Sequence, residues 1–460
     1  MVKILHYFFI GLLVVNCGEK QNNTKQVFFA GEIVNPTSDQ VVLFKGEKPI
    51  DSVKLDENNR FAFALDSVAE GLHHFYHHPE LQYVFLENGD SLQIRLNTAD
   101  FDESLIFSGK GEEINNFLLE MFLANEEEED LVYSLYRLEP EPFHQKIDSL
   151  LQNKLQLLEQ TKTEFQISRK AYELAKAGIV YNANISMEAY PFYHRRRSGE
   201  GNMHDLPEDF YDYRQNINYN NDELTYLRPY YNFMKYHLGN LAYNQCKKNC
   251  GSSLEEVSRQ LHFNKHKLKL IDSLITQEEL RDNLFRNVAI DYLLKHDTEE
   301  HNIDFIAAFQ ELSKNNRHNE EINTLYQGII NMQPSKSLPQ LTLTNYAGNE
   351  VMLSGIDKGK EVVFYFWSAA EPGHFRNIMK RVEELKLKRP EYRFVGISLR
   401  TDHARWMSVV DKYNLDKNEQ YWANNFDKTA RALIVYNPNK SIIAKDGIII
   451  DAFANIYRSF

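Results

Sequence analysis

The hydrophobic period of this chain changes twice, and those changes constrain its fold more than any single residue does. From Val27 to about Lys110, short apolar runs alternate with polar positions in VFFAGEIV, QVVLF, DSVKL, FAFAL, QYVFL and SLQIRL. Turn residues separate them at NPTSD, DENNR and Glu87 to Gly89. Period-two runs punctuated in this way predict an all-β, sandwich-like domain over 27–110. From 111 to 333 the period becomes helical, as in Phe143, Ile147, Leu150, Leu151, Leu155 and Leu158 on one face. From 334 to 460 strand text returns and alternates with helical text, which predicts an α/β sheet. The expected fold is therefore multidomain: an N-terminal all-β domain, a central α-helical domain and a C-terminal α/β domain.

Charge narrows the functional classes. Lys and Arg number 52 against 65 Asp and Glu, a net charge of −13, so attraction to nucleic acid has the wrong sign. The longest apolar run, Ile4 to Val15 behind Lys3, is too short to span a bilayer but suits the apolar part of a secretory signal. It ends in VVNC-G, which resembles a bacterial lipoprotein signal with Cys17 as the lipidated residue, although Asn16 departs from the usual small residue. That resemblance implies a signal segment over 1–17, a polar tether over 18–26, a lipid anchor in a bacterial membrane and a place in the cell envelope, facing the periplasm or the cell surface.

Once Cys17 is set aside, two cysteines remain, Cys246 and Cys250, in QCKKNCG. An even pair in an oxidising compartment is a candidate disulfide, but four residues apart on a regular helix is an awkward geometry for one. Free thiols are the second reading. A metal site is the last, because no further ligands follow at metal spacing. No metal and no cofactor is expected anywhere in the chain.

Within the β text, LHHFYHH places His73 and His77 on one strand face and His74 and His78 on the other. They are expected to be solvent-facing polar residues beside a packed Phe75 and Tyr76. The features F-x-G-x-I, dSVkLdeNnrFaF, ENGDSLQI and LIFSGKGEEINNFL resemble the β-domain of unknown function that precedes thioredoxin-like domains in Bacteroidota lipoproteins. In the helical text, helix starts are expected at the capping boxes Ser253/Glu256 and Thr276/Glu279. The acidic run Glu126 to Asp130 reads as a solvated helix start, and Arg195 to Arg197 as an exposed loop. The tyrosine-rich stretch from Tyr190 to Tyr243 reads as helix packing.

The C-terminal text is the most specific. The entry LPQLTLTNYAGNEVML, the buried strand VVFYFWS and the stretch VYNPNKSIIAKDGIII agree in order and spacing with the thioredoxin-like TlpA/ResA type of thiol-disulfide oxidoreductase, which 334–460 resembles. The resemblance implies that Pro438 stands at the family's cis-proline and Asp446-Gly447 at its hairpin turn; the chain departs from the family after the last strand, where AFANIYRSF leaves the usual terminal helix short or missing. At the site of the family's W-C-x-x-C, however, this chain has Glu371 and His374. Exchange needs a thiolate at a helix N-terminus and a second thiol to resolve the mixed disulfide, and no cysteine follows Cys250. No catalytic residue is therefore assigned.

The expected function is a redox-inactive binding or scaffolding module. Its surface would lie at Trp367, Glu371, His374, Asn437 and Pro438, and its partner would be an envelope protein or peptide. The rival reading is an enzyme. It would exchange disulfides through Cys246 and Cys250, or work without redox chemistry on Glu371 and His374.

Overall fold

The computed structural model describes residues 25–199, 205–250, 261–357 and 359–460, the side chains of 248–250 excepted. The signal segment, Cys17 and nearly all of the tether lie outside the described residues, as do the Cys250 side chain and the Ser253/Glu256 box. Among the described residues no helix is long and apolar enough to cross a membrane.

The chain divides into two compact units, and the expected helical domain does not stand as a body of its own. One unit runs to Gln215 and takes in Glu223–Phe233, while the other comprises Asn216–Asp222 and Met234–Phe460. The early helices thus belong with the β-domain and the later ones with the α/β sheet.

In the first unit, β1 (Val27–Val34), β2 (Gln40–Lys45), β3 (Lys48–Lys54), β4 (Arg60–Leu65), β5 (Gly71–His77), β6 (Glu80–Leu86) and β7 (Ser91–Asn97) are followed by a one-turn helix, α1 (Phe101–Ser104), and by β8 (Ile106–Lys110). They form two four-stranded sheets, ordered β4-β1-β7-β8 and β3-β2-β5-β6. Phe29, Phe63, Leu43, Phe75, Leu92 and Ile94 fill the core, as period-two alternation requires when one face of each sheet is buried.

His73 and His77 depart from expectation. They share strand parity with Phe75, and all three are buried rather than solvent-facing. His73 Nδ1 bonds the Gly71 carbonyl at 2.9 Å. His77 Nε2 accepts from the Thr37 amide at 3.1 Å, and its Nδ1 reaches the Gln40 carbonyl at 3.1 Å. Burial holds the His73 imidazole down to about 4, and it lowers that of His77 as well. These are neutral core histidines, and no metal-binding group of three or more acidic, histidine or cysteine residues occurs among the described residues.

The helices α2 (Glu112–Glu127), α3 (Glu129–Leu135), α4 (Pro140–Phe165) and α5 (Arg169–Ser198) complete this unit, with the start of α6 (Arg228–Cys250). Asn115 and Asn116, in the first turns of α2, each close one sheet edge. Asn115 takes the Phe85 amide at 2.7 Å and returns a bond to the Phe85 carbonyl at 2.9 Å. Asn116 does the same to Phe107 at 3.1 and 2.9 Å. An amide side chain that mimics a neighbouring strand satisfies backbone groups which an open edge would leave unpaired.

The expected face of α4 is present at Phe143, Ile147 and Leu158, but it also buries Lys154. That ammonium is matched by Glu128 at 2.5 Å and Asn125 at 2.6 Å, so one member of the acidic run is a partner and not merely solvated. The three arginines end α5 instead of forming a loop. The tyrosine-rich text is packing: Tyr136, Phe143, Tyr190 and Phe210 make one aromatic cluster, with the Phe143 and Tyr190 ring centroids 4.4 Å apart.

The second unit holds α7 (Leu261–Leu274), α8 (Glu278–Leu293), α9 (Glu299–Leu312) and α10 (Asn319–Asn331), then β9 (Thr342–Asn345), β10 (Glu350–Met352), β11 (Val362–Trp367), α11 (Pro372–Lys388), β12 (Arg393–Ser398), α12 (His403–Lys412), β13 (Gln420–Trp422), α13 (Phe426–Leu433), β14 (Lys440–Lys445) and β15 (Ile448–Asn455). The cap of α8 is Gln277, whose side chain accepts from the Leu280 amide at 2.6 Å, and not the expected Thr276. Thr276 and Gln277 instead give their own amides to Asn220 Oδ1.

The seven strands form one sheet in the order β10-β9-β13-β12-β11-β14-β15. β11 is parallel to β12 and antiparallel to β14, and β14 pairs with β15 as a hairpin. Asp446 and Gly447 turn that hairpin with φ of 50° and 78°, the left-handed pair that a two-residue type I′ turn requires. No helix follows β15. Instead, Arg381 Nε bonds the Ile456 carbonyl at 3.1 Å and the Phe460 ring packs on Tyr392 and Phe394.

Candidate functional site

The β11 to α11 turn is the place the sequence singles out, and local chemistry makes it rigid. β11 is buried along its whole length, so it emerges at Ser368 with little freedom. The Ser368 hydroxyl accepts from the Ala370 amide at 3.1 Å, and Thr401 Oγ1 accepts from the Ala369 amide at 3.0 Å. Arg405 donates to the Ala369 carbonyl at 2.9 Å, and Trp422 Nε1 holds the Thr401 carbonyl at 2.7 Å. Pro372 opens α11 at a position where its missing N–H is not needed.

Glu371 precedes Pro372 and is exposed, and its side chain makes no cap bond to the helix. His374 is half-buried, and neither of its ring nitrogens meets a hydrogen-bond partner. No hydrogen bond therefore joins the two side chains. Trp367 is not a surface residue: it is 1% exposed, and its Nε1 donates to Gln420 Oε1 at 3.0 Å. The expected aromatic contact is a buried support.

Pro438 also differs from expectation. Asn437–Pro438 is a trans peptide, and the cis bond among the described residues is His78–Pro79. The physical reason is the turn that Pro438 occupies. The Lys440 amide closes back on the Asn437 carbonyl at 3.1 Å, and the Asn439 amide bonds Asn437 Oδ1 at 2.8 Å. Proline is thereby set at the second position of a four-residue turn, where its trans form presets φ. Asn437 and Pro438 are exposed. Because Tyr365 pairs with Ser441, this turn lies at the same end of the sheet as Ser368 to Glu371.

Cys246 is fully buried on α6, which stays helical to Cys250. The candidate disulfide cannot be placed, since the Cys250 side chain is outside the described residues. What sequence reasoning missed lies beneath the turn. Gln420 bridges Trp367 and Tyr365, giving its Nε2 to the Tyr365 hydroxyl at 3.0 Å. No local signal marks that residue, because its partners are more than fifty positions away.

No family model matches the chain, and no curated relative does. Solved structures do resemble part of it. The thioredoxin domain of a thiol-disulfide oxidoreductase from Bacteroides vulgatus is 19% identical, over 26% of this chain and 86% of that one, with a TM-score of 0.21. A thiol-disulfide oxidoreductase from Bacteroides fragilis is 23% identical over 25% and 87%, with a TM-score of 0.21. A secreted disulfide oxidoreductase of Mycobacterium tuberculosis is 26% identical over 25% and 83%, with a TM-score of 0.20. Each likeness is confined to about a quarter of the present chain.

Proposed function

We propose that this chain is a lipid-anchored cell-envelope protein whose C-terminal thioredoxin-like domain works as a binding module and not as a redox enzyme. The observation that carries this reading is the lack of sulfur at the exchange position: Glu371 and His374 stand at the β11 to α11 turn, and no cysteine follows Cys250. A carboxylate and an imidazole cannot form or resolve a mixed disulfide. Cys246, at 0% exposure, cannot be reached by a substrate disulfide in the folded chain.

Binding would use the exposed Glu371, Asn437 and Pro438, with His374 beside them and Trp367 as the support beneath. Glu371 would favour basic or amide-rich extended segments of an envelope partner through charge-assisted hydrogen bonds. No cofactor takes part, and the net charge of −13 disfavours nucleic acid.

Two experiments test the reading. With dithiothreitol as electron donor, the purified chain should reduce a model disulfide substrate no faster than the uncatalysed rate. Turnover that disappears in Cys246→Ser would instead establish the oxidoreductase. In cells, Cys17→Ser should abolish lipid labelling and move the protein out of the membrane fraction. Retention there after detergent-free washing would remove the anchor from the proposal.

A further inference from the structure

Lys440 opens β14 immediately after the Asn437–Pro438 turn, yet it is buried rather than exposed, at 7% of its surface. Its Nζ donates to the Leu433 carbonyl at 2.7 Å and to the Ile434 carbonyl at 3.0 Å. Those are the last carbonyls of α13, which no helical amide can satisfy. The α13 chain reverses at Ile434 with φ of 52°, and Val435 returns its amide to the Ala430 carbonyl at 2.8 Å. The ammonium also lies 4.3 Å from the centre of the Phe453 ring. One side chain thus ties together the end of α13, the start of β14 and the face of β15, and it spans the segment that presents Asn437 and Pro438.

We propose that Lys440 is a proton-operated latch, which holds the 434–440 segment closed against α13 and sets how readily the Asn437–Pro438 turn opens. Two titratable groups face the amine. Asp451 on β15 favours its charge, but that carboxylate accepts the Phe453 amide at 2.8 Å and is not within ion-pair distance of Nζ. His296, between α8 and α9, stacks on Phe453 with ring centroids 3.4 Å apart. Burial, reinforced by the charge of Lys440, pushes His296 down to about 3, so it stays neutral. The ammonium is therefore met by neutral acceptors alone, and burial drives its pKa down from 10.5 to about 7.

The closed-state value lies below that of a free lysine, so the open segment binds the proton more tightly. The latch gains stability as pH rises from about 7 towards 10.5, and its stability is constant below about 7, where both states are charged. The turn opens more readily on the acidic side of neutrality. The latch is a property of the free chain. Only its consequence for partner access rests on the binding role proposed above.

Amide hydrogen exchange of Ile434, Val435, Asn439 and Lys440 in the intact chain tests it. After correction for intrinsic exchange, the opening constant is expected to fall roughly tenfold per pH unit between pH 7 and 9 and to level off below pH 7. Lys440→Met should remove that dependence. A flat profile in the unsubstituted chain, or the same slope in Lys440→Met, overturns the latch. Should Lys440→Met fail to fold, NMR titration of the Lys440 Cε in the unsubstituted chain decides: a midpoint near 7 supports the latch, and one near 10.5 overturns it. A latch that titrates as expected while no partner binds near Glu371 would sink only the binding role. A partner bound there with pH-independent affinity, beside a flat exchange profile, would sink only the latch.

Discussion

Gly396→Ala is expected to destabilise the C-terminal sheet by about 3–5 kcal/mol, at the upper end of single substitutions. Gly396 on β12 is flanked directly by Tyr365 on β11 and Gln420 on β13. The missing side chain at the centre of that row lets the two flanking ones meet above it, and Gln420 then reaches on to Trp367. A Cβ at 396 would lie 2.3 Å from Gln420 Oε1 and 2.8 Å from the Tyr365 hydroxyl. Neither side chain has a free direction to move, since Tyr365 is 2% and Gln420 3% exposed. The network would have to break, and each buried polar group orphaned in this way costs about 1–3 kcal/mol.

All three tryptophans of the chain, Trp367, Trp406 and Trp422, lie in this sheet or pack on it. Urea unfolding followed by tryptophan fluorescence therefore reports on the right unit. Gln420→Ala removes the obstruction but leaves Trp367 Nε1 and the Tyr365 hydroxyl unpaired. The double variant should accordingly lose less than the two single losses combined. A loss below about 1 kcal/mol for Gly396→Ala alone would mean that β12 shifts to accommodate the methyl, against the close-packed interior assumed here.

Much of this architecture is legible in the sequence where the determinants are local. Alternation places the strands of 27–110, the Asp446-Gly447 pair marks its hairpin, and Pro372 marks the start of α11. What is not legible depends on contacts between distant residues. Alternation puts His73 and His77 on the face of Phe75, but whether that face meets a second sheet or solvent is decided by the stacking of the other sheet, whose Phe29 packs on Phe75. Trp367 ends a strand that reads as buried, yet the sequence assigns it to the binding surface because its buried partner Gln420 sits in a short strand 53 positions later. The trans form of Asn437–Pro438 follows from a turn closed by Lys440, a residue whose own burial depends on Phe453 and on the end of α13. The helical text reads as one domain because helix period carries no information about which layer a helix covers.

Asn115→Leu is expected to destabilise the β-domain by about 2–4 kcal/mol, because leucine keeps the volume and removes every bond the amide makes. Asn115 is 2% exposed. It satisfies both backbone groups of Phe85 and also gives a 2.8 Å bond to the Gly111 carbonyl. Phe85 is itself buried, at 1%, so water cannot replace the lost partner and the orphaned amide and carbonyl carry their full desolvation penalty. Asn116 makes the equivalent pair with Phe107 but is only half-buried. Asn116→Leu should therefore cost less, about 1 kcal/mol, since solvent can reach the vacated groups. The two neighbours thus form an internal control in which chemistry is constant and burial differs. The first unit contains no tryptophan, so the readout is hydrogen exchange at the Phe85 and Phe107 amides, each of which should lose protection only in its own variant. Equal losses in the two variants would show that burial at the β6 edge does not set the strength of this clamp.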